Sequence, residues 1–136
     1  MKGLLLDTNV YAAFKRGDAT ILEVIRHAPE LVLCPIVLGE LLAGFAAGTQ
    51  TVRNRKELAE FIATPRVRVI ELDGNTATHY AMLFLNLRKR GRPVPSNDLW
   101  IGALAMQHGL AVFSLDQHFR EMENLSVGQC LEDFLP

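Results

Sequence analysis

Short apolar runs alternate along the chain with longer segments in which apolar residues return every three or four positions. The short runs are Lys2 to Leu6, Val32-Leu33-Cys34, Val67-Arg68-Val69-Ile70 and Ala111-Val112-Phe113. Their length predicts strands, and their nearly continuous apolar character predicts strands buried on both faces. The longer segments, Ala19 to His27, Val37 to Gly48, Arg53 to Ala63, Thr76 to Arg90 and Leu99 to His108, have helical spacing. Punctuation agrees: Gly109 follows a predicted helix end, Pro65 closes another helix, and Pro93 and Pro95 separate two more. Strands alternating with helices favour a parallel sheet, because parallel neighbours need a crossover connection. The predicted fold class is α/β, a parallel sheet flanked by helices on both faces in three layers.

Composition narrows this picture. A chain of 136 residues without linker, repeat or low-complexity segment is expected to form a single domain, residues 1–136. The hydrophobic share of 49% and mean hydropathy of +0.15 are high for this size, which predicts apolar surface covered by a partner. Helices Val37 to Ala47 and Tyr80 to Leu87 are more apolar than one buried stripe requires, and most of Leu41, Leu42, Phe45, Met82, Phe84 and Leu85 are expected in the core. Cys34 and Cys130 lie far apart with no CxxC spacing, so both are expected as reduced core residues. The N-terminal apolar run reaches Asp7 too early for a signal peptide or membrane span, and the expected location is cytoplasmic. Fourteen basic residues against fifteen acidic ones give a net charge of −1, so any binding of a polyanion must come from local patches and bound cations.

Four carboxylates carry the candidate chemistry. Asp7 follows the first strand and Asp116 follows the strand ending at Phe113, so both fall at carboxyl ends of parallel strands, the edge where open α/β sheets bind ligands. Glu40 lies early in the helix after the second strand, among apolar neighbours. Asp98 opens a helix in Pro95-Ser96-Asn97-Asp98-Leu99-Trp100-Ile101. Taken singly, each aspartate is equally well a helix N-cap or first-turn acid, and the glutamate a solvated helix former. Together they converge on one rim, where like charges cost stability unless protons or cations neutralise them. Hard oxygen ligands suit Mg²⁺ or Mn²⁺.

The runs LLLDTN at 4 to 9, VLGELLAG at 37 to 44, PSNDLWIGALAMQHGL at 95 to 110 and SLDQHF at 114 to 119 resemble, in order, the four motif blocks of a PIN domain, specifically a VapC-type toxin nuclease. The resemblance implies that Asp7, Glu40, Asp98 and Asp116 match the family's metal-binding acids and that Ser114 matches its small hydroxyl residue. It further implies RNA as substrate, a homodimer, and a cognate VapB-like antitoxin that covers a hydrophobic groove and blocks the acidic pocket. In the last block the family often carries a second acid where this chain has His118. With no partner visible for it, His118 is assigned a helix-capping role in preference to a phosphate contact.

This reading makes the protein a metal-dependent endoribonuclease leaving 5′-phosphate and 3′-hydroxyl ends, with Mg²⁺ or Mn²⁺ supplying an activated water and a Lewis acid. Thr8, Asn97 and Ser114 are expected to hydrogen-bond around the acids. Arg88, Lys89, Arg90 and Arg92 either guide an RNA backbone or complement a helix dipole, and Arg53, Arg55 and Lys56 have the same two readings. A haloacid dehalogenase-type phosphatase also begins with an apolar strand and an aspartate, but its second acid would fall at Asn9. A receiver domain needs a lysine near the last strand, and Ser114-Leu115-Asp116 supplies none. A non-catalytic binding module is the remaining alternative. No GxxxxGK[ST], GxGxxG or HExxH motif occurs.

Overall fold

The computed structural model describes residues 1–136. Five strands, β1 Leu4–Leu6, β2 Leu31–Leu33, β3 Val67–Val69, β4 Ala111–Phe113 and β5 Val127–Gly128, pair in the order β3-β2-β1-β4-β5, all parallel. Six helices connect them: α1 Thr8–Lys15, α2 Ala19–His27, α3 Pro35–Ala47, α4 Thr51–Ile62, α5 Gly74–Lys89 and α6 Ser96–His108. From β1 through β3 the chain steps one way across the sheet, then returns past β1 to β4. Right-handed crossovers running in opposite directions place α1 to α4 on one face and α5 with α6 on the other, giving the expected three layers. None of these helices is long and apolar enough to cross a membrane.

The three central strands β1, β2 and β4 are buried throughout and anchor a core of 32 residues. The edge strand β3 departs from the expectation of burial on both faces: only Val67 is buried, while Arg68 and Val69 are exposed. A strand with one neighbour keeps one side open to water, and Arg68 reaches back to Glu30, just before the neighbouring β2, with two hydrogen bonds of 2.7 and 3.1 Å. Of the six apolar helix residues assigned mainly to the core, only Leu41 is buried. Leu42 and Phe45 are half-buried, and Met82, Phe84 and Leu85 are 60%, 46% and 50% exposed. Cys34 lies in the core, but Cys130 is half-buried outside it, and both are free thiols.

Helix beginnings extend further than apolar spacing shows, because first turns carry capping residues instead. Pro35 occupies the first position of α3. Asp73 opens α5 with a capping box in which its carboxylate accepts from Thr76 N at 3.1 Å and Thr76 Oγ1 accepts from Asp73 N at 3.0 Å. At the far end of α6, Gly109 takes a left-handed φ of 64° that terminates the helix. Gln107 on α6 donates to Asp73 at 2.9 Å, tying the two helices of that face together.

Helix α6 is buried almost all round. Its Gly102 lies against the Met122 sulfur, and a Cβ there would also sit 3.5 Å from Leu83 Cδ1 of α5. The glycine lets α6 nest between α5 and the segment after β4. Gly102→Val is expected to lower stability by about 1–3 kcal/mol through overpacking. Urea unfolding of both proteins measures the effect, and an unchanged midpoint would refute the close fit.

Candidate active site

The strand order reverses at β1, so the crevice beyond the carboxyl ends of β1 and β4 is the topological switch point of the sheet. Asp7 N donates to Phe113 O at 2.9 Å, locking the two strand ends together where they leave the sheet. Three of the four buried polar residues of the chain, Asp7, Asp98 and Ser114, gather there.

Each acid is placed by a local rule of chain folding. Asp7 is the N-cap of α1 and accepts from Thr8 N at 2.8 Å. Its other oxygen accepts from Ser114 Oγ at 2.7 Å, and that hydroxyl in turn accepts from Asp116 N at 2.9 Å. Asp116 caps the 3₁₀ turn Gln117–Glu121 through His118 N at 2.9 Å. Asp98 sits in the first turn of α6, near the positive end of its dipole. Glu40, in the second turn of α3, is exposed rather than enclosed by its apolar neighbours, and Thr8 Oγ1 at 2.7 Å and Asn97 Nδ2 at 3.2 Å hold it. The capping and site readings of these residues are therefore both true: a cap hydrogen bond fixes a carboxylate without using all its lone pairs.

All seven residues anticipated from the sequence meet in one web, but its tightest part has an unanticipated member. His118 Nδ1 lies 2.8 Å from Asp98 Oδ2 and 3.0 Å from Asp116 Oδ1. Donor atoms of Asp98, Asp116 and His118 all fall within 4.8 Å of one another, a set that includes neither Asp7 nor Glu40. The capping role assigned to His118 is thus incomplete. Its backbone joins the cap while its imidazole enters the acidic cluster, because the capping turn folds a side chain two residues after Asp116 back over the carboxylates. Asn9 was also missed as a site residue: its Oδ1 accepts from Leu115 N at 3.1 Å, pinning α1 to the loop after β4.

None of the four carboxylates forms an ion pair with lysine or arginine. Burial pushes the Asp7 carboxyl above its ordinary range, opposed by its hydrogen bonds from Ser114 and Thr8 and reinforced by the charges of Asp98 and Glu40. Burial also raises Asp98, with the Asp116 and Glu40 charges adding to it and the His118 hydrogen bond opposing. His118 is raised in turn, chiefly by its hydrogen bond to Asp98. Asp98 Oδ1 and Asp116 Oδ2 accept no hydrogen bond from the protein. Converging hard oxygens without a balancing cation form a donor set that fits a divalent metal ion.

A family model for the PIN domain matches residues 4–125. The chain belongs to the PIN-domain family. Among PIN-domain relatives, Ribonuclease VapC5 of Mycobacterium tuberculosis is 31% identical over 120 residues, covering 88% of this chain and 87% of its own. Two solved structures share the PIN fold over nearly its whole length. DNA-bound VapBC from Salmonella typhimurium aligns with a TM-score of 0.82 at 25% identity, covering 94% of this chain and 98% of that one. VapBC-5 from Mycobacterium tuberculosis aligns at 0.72 and 28% identity, covering 94% and 97%.

Raised folded-state values at Asp7 and Asp98 carry a definite sign for this PIN domain. The folded form holds these protons more tightly than the unfolded chain, so their contribution to stability is greatest below the ordinary aspartate pKa. It is lost as pH rises through that value to the raised one. Asp98→Asn, which mimics the protonated acid, is expected to raise the thermal midpoint of metal-free protein at neutral pH by a few degrees, with the gain fading below about pH 4. Calorimetric melts from pH 3 to 8 test this, and a gain independent of pH would rule out the charge as its origin.

Proposed function

We propose that this PIN-domain protein is a divalent-metal-dependent endoribonuclease, the toxin of a VapBC-type toxin–antitoxin pair acting on RNA in the cytoplasm, with residues 1–136 as one nuclease domain. The observation that carries the reading is the web of Asp7, Glu40, Asp98 and Asp116 at the switch point with no lysine or arginine to balance it. The relative named as a ribonuclease supports RNA as substrate. Mg²⁺ or Mn²⁺, when bound, supplies a water of lowered pKa and positive charge for the phosphoryl oxygens.

The chain's own residues do the rest. Asp98 and Asp116 present the oxygens that lack protein donors, and Asp7 adds negative charge beside them. Ser114 holds Asp7 and the Asp116 backbone in register, which keeps two strand ends at a fixed separation. Glu40, fixed by Thr8 and Asn97, is an exposed acceptor positioned to orient water at the rim. Asn9 disfavours a phosphatase of the haloacid dehalogenase type, since an amide already accepting from Leu115 N stands where that chemistry needs a second acid.

The same reading gives the apolar surface a purpose. Phe84 of α5, with Leu87, Arg88, Pro93, Val94 and Leu99, lines a cleft of about 370 Å³, and Met82 and Leu85 add exposed apolar side chains on the same helix. Such a patch fits the antitoxin and homodimer partners of a toxin, in line with the VapBC complexes that share the fold. The basic residues divide. Arg90 and Arg92 sit near Glu121 and Glu123 at 3.7 to 3.8 Å, and Arg53 sits 3.6 Å from Glu57. Arg88, Lys89, Arg55 and Lys56 are exposed without ion pairs. Arg92 also lines a cleft of about 330 Å³ with Gln117 and His118, the polar approach to the acids.

Purified protein incubated with structured RNA should cleave it in Mg²⁺ or Mn²⁺ and stop when EDTA is added, leaving 5′-phosphate ends that sequencing locates. Asp98→Asn should lose more activity than the roughly 10–100-fold typical of a supporting residue, while Ser114→Ala should fall inside that range. Full cleavage by Asp98→Asn, with Mn²⁺ binding in calorimetry unchanged, would refute the assignment. Separately, Arg92→Glu should weaken RNA binding across sequences and reduce the slope of log affinity against log salt by about 1. An unaltered slope removes Arg92 from the RNA path.

A further inference from the structure

We infer that His118 is a direct nitrogen ligand of the active-site cation, through Nδ1, and that it biases the site toward Mn²⁺ over Mg²⁺. The inference rests on the metal-dependent reading above and adds to it the identity of a ligand and of the preferred ion.

Donors in adjacent positions around an octahedral ion at about 2.1 Å stand about 3.0 Å apart. His118 Nδ1 meets Asp98 Oδ2 and Asp116 Oδ1 at 2.8 and 3.0 Å, the spacing of neighbouring donors in one coordination sphere, and ligand atoms of all three residues lie within 4.8 Å of one another. The set is also held in place. Asp98 is 4% exposed on the buried helix α6, and Asp116 is fixed by its cap bond to His118 N, so the turn that positions one ligand positions the other. The imidazole itself is half-exposed and borders the cleft shared with Arg92 and Gln117, so water and a phosphate could reach the cluster from that side.

Chemistry then decides the ion. An all-oxygen set suits Mg²⁺, whereas imidazole nitrogen is a softer donor that favours transition ions. Replacing one carboxylate by a neutral imidazole also removes a negative charge, which costs more affinity for an ion held electrostatically than for one that gains from nitrogen coordination. To serve as a ligand, Nδ1 would present its lone pair, so an imidazolium lying between Asp98 and Asp116 would release its Nδ1 proton to solvent and remain as the neutral Nε2–H tautomer.

The test uses the full chain with Mn²⁺ alone. Electron spin-echo envelope modulation of the bound ion should show ¹⁴N coupling in the wild type and none in His118→Asp. Calorimetric titrations should show the ratio of Mn²⁺ to Mg²⁺ affinity falling at least about tenfold in that variant, the lower end of what even an outer partner of a ligand contributes. Mn²⁺ bound without ¹⁴N coupling, or coupling that survives in His118→Asp, would overturn the inference and leave the metal-dependent reading intact. No Mn²⁺ binding by the wild type would overturn both.

Discussion

The structure depends on holding like charges together. Two unit charges 4 Å apart repel by about 4 kcal/mol at an effective dielectric of about 20, and here several carboxylates share one partly buried crevice without a lysine or arginine among them. What offsets the repulsion is a set of partial positive charges: the Thr8 and His118 backbone amides, the Ser114, Thr8 and Asn97 side chains, and the amino end of α6. Only His118 can contribute a full charge. Burial still outweighs these contacts at Asp7 and Asp98, so compensation by the protein is incomplete, and an incomplete balance is what a cation completes.

Topology explains why the crevice lies where it does. A sheet that grows outward from β1 in both directions splits its flanking helices at that strand, leaving the ends of β1 and β4 uncovered. Chain leaving these ends must turn at once into a helix or a 3₁₀ turn, and aspartate is a favoured residue for beginning such turns. The residues that stop the strands and start the turns are thereby the ones aimed into the gap. Folding and chemistry draw on the same carboxylates, which is why Asp7 and Asp116 each serve as cap and candidate ligand.

Much of this was legible in the sequence, and the omissions have physical reasons. The four apolar runs and five spaced segments mark four strands and five helices, because burial of a face imposes a period. Helix α1 went unread because its eight residues follow β1 without a break, and β5 because two residues carry no period. Edge strand β3 was overestimated in burial, since an Arg between valines reads as an interruption of a core strand until Glu30 shows where the charge goes. Met82, Phe84 and Leu85 belong to a set of six residues expected mostly in the core, and they lie outside it because apolar content reports a preference for burial without saying whether the chain or a partner provides it. The acids were found because their positions follow from strand ends and helix starts. The role of His118 was not, because it depends on how a capping turn folds a side chain back, which spacing alone does not encode.

The charge distribution then bears on how a polyanion is held. A chain of net charge −1 offers RNA little general attraction, and its Arg90 already faces Glu121 and Glu123. The crevice itself repels phosphate as long as its carboxylates are uncompensated. In the proposed reading, the cation that makes cleavage possible is also what makes approach of the backbone favourable, so the two ligands must strengthen each other's binding, each by the same factor. A bound partner that withheld the cation or covered the acids would lower RNA affinity and cleavage together. One crevice would then suffice as the point of control, without any conformational change in the sheet that carries it.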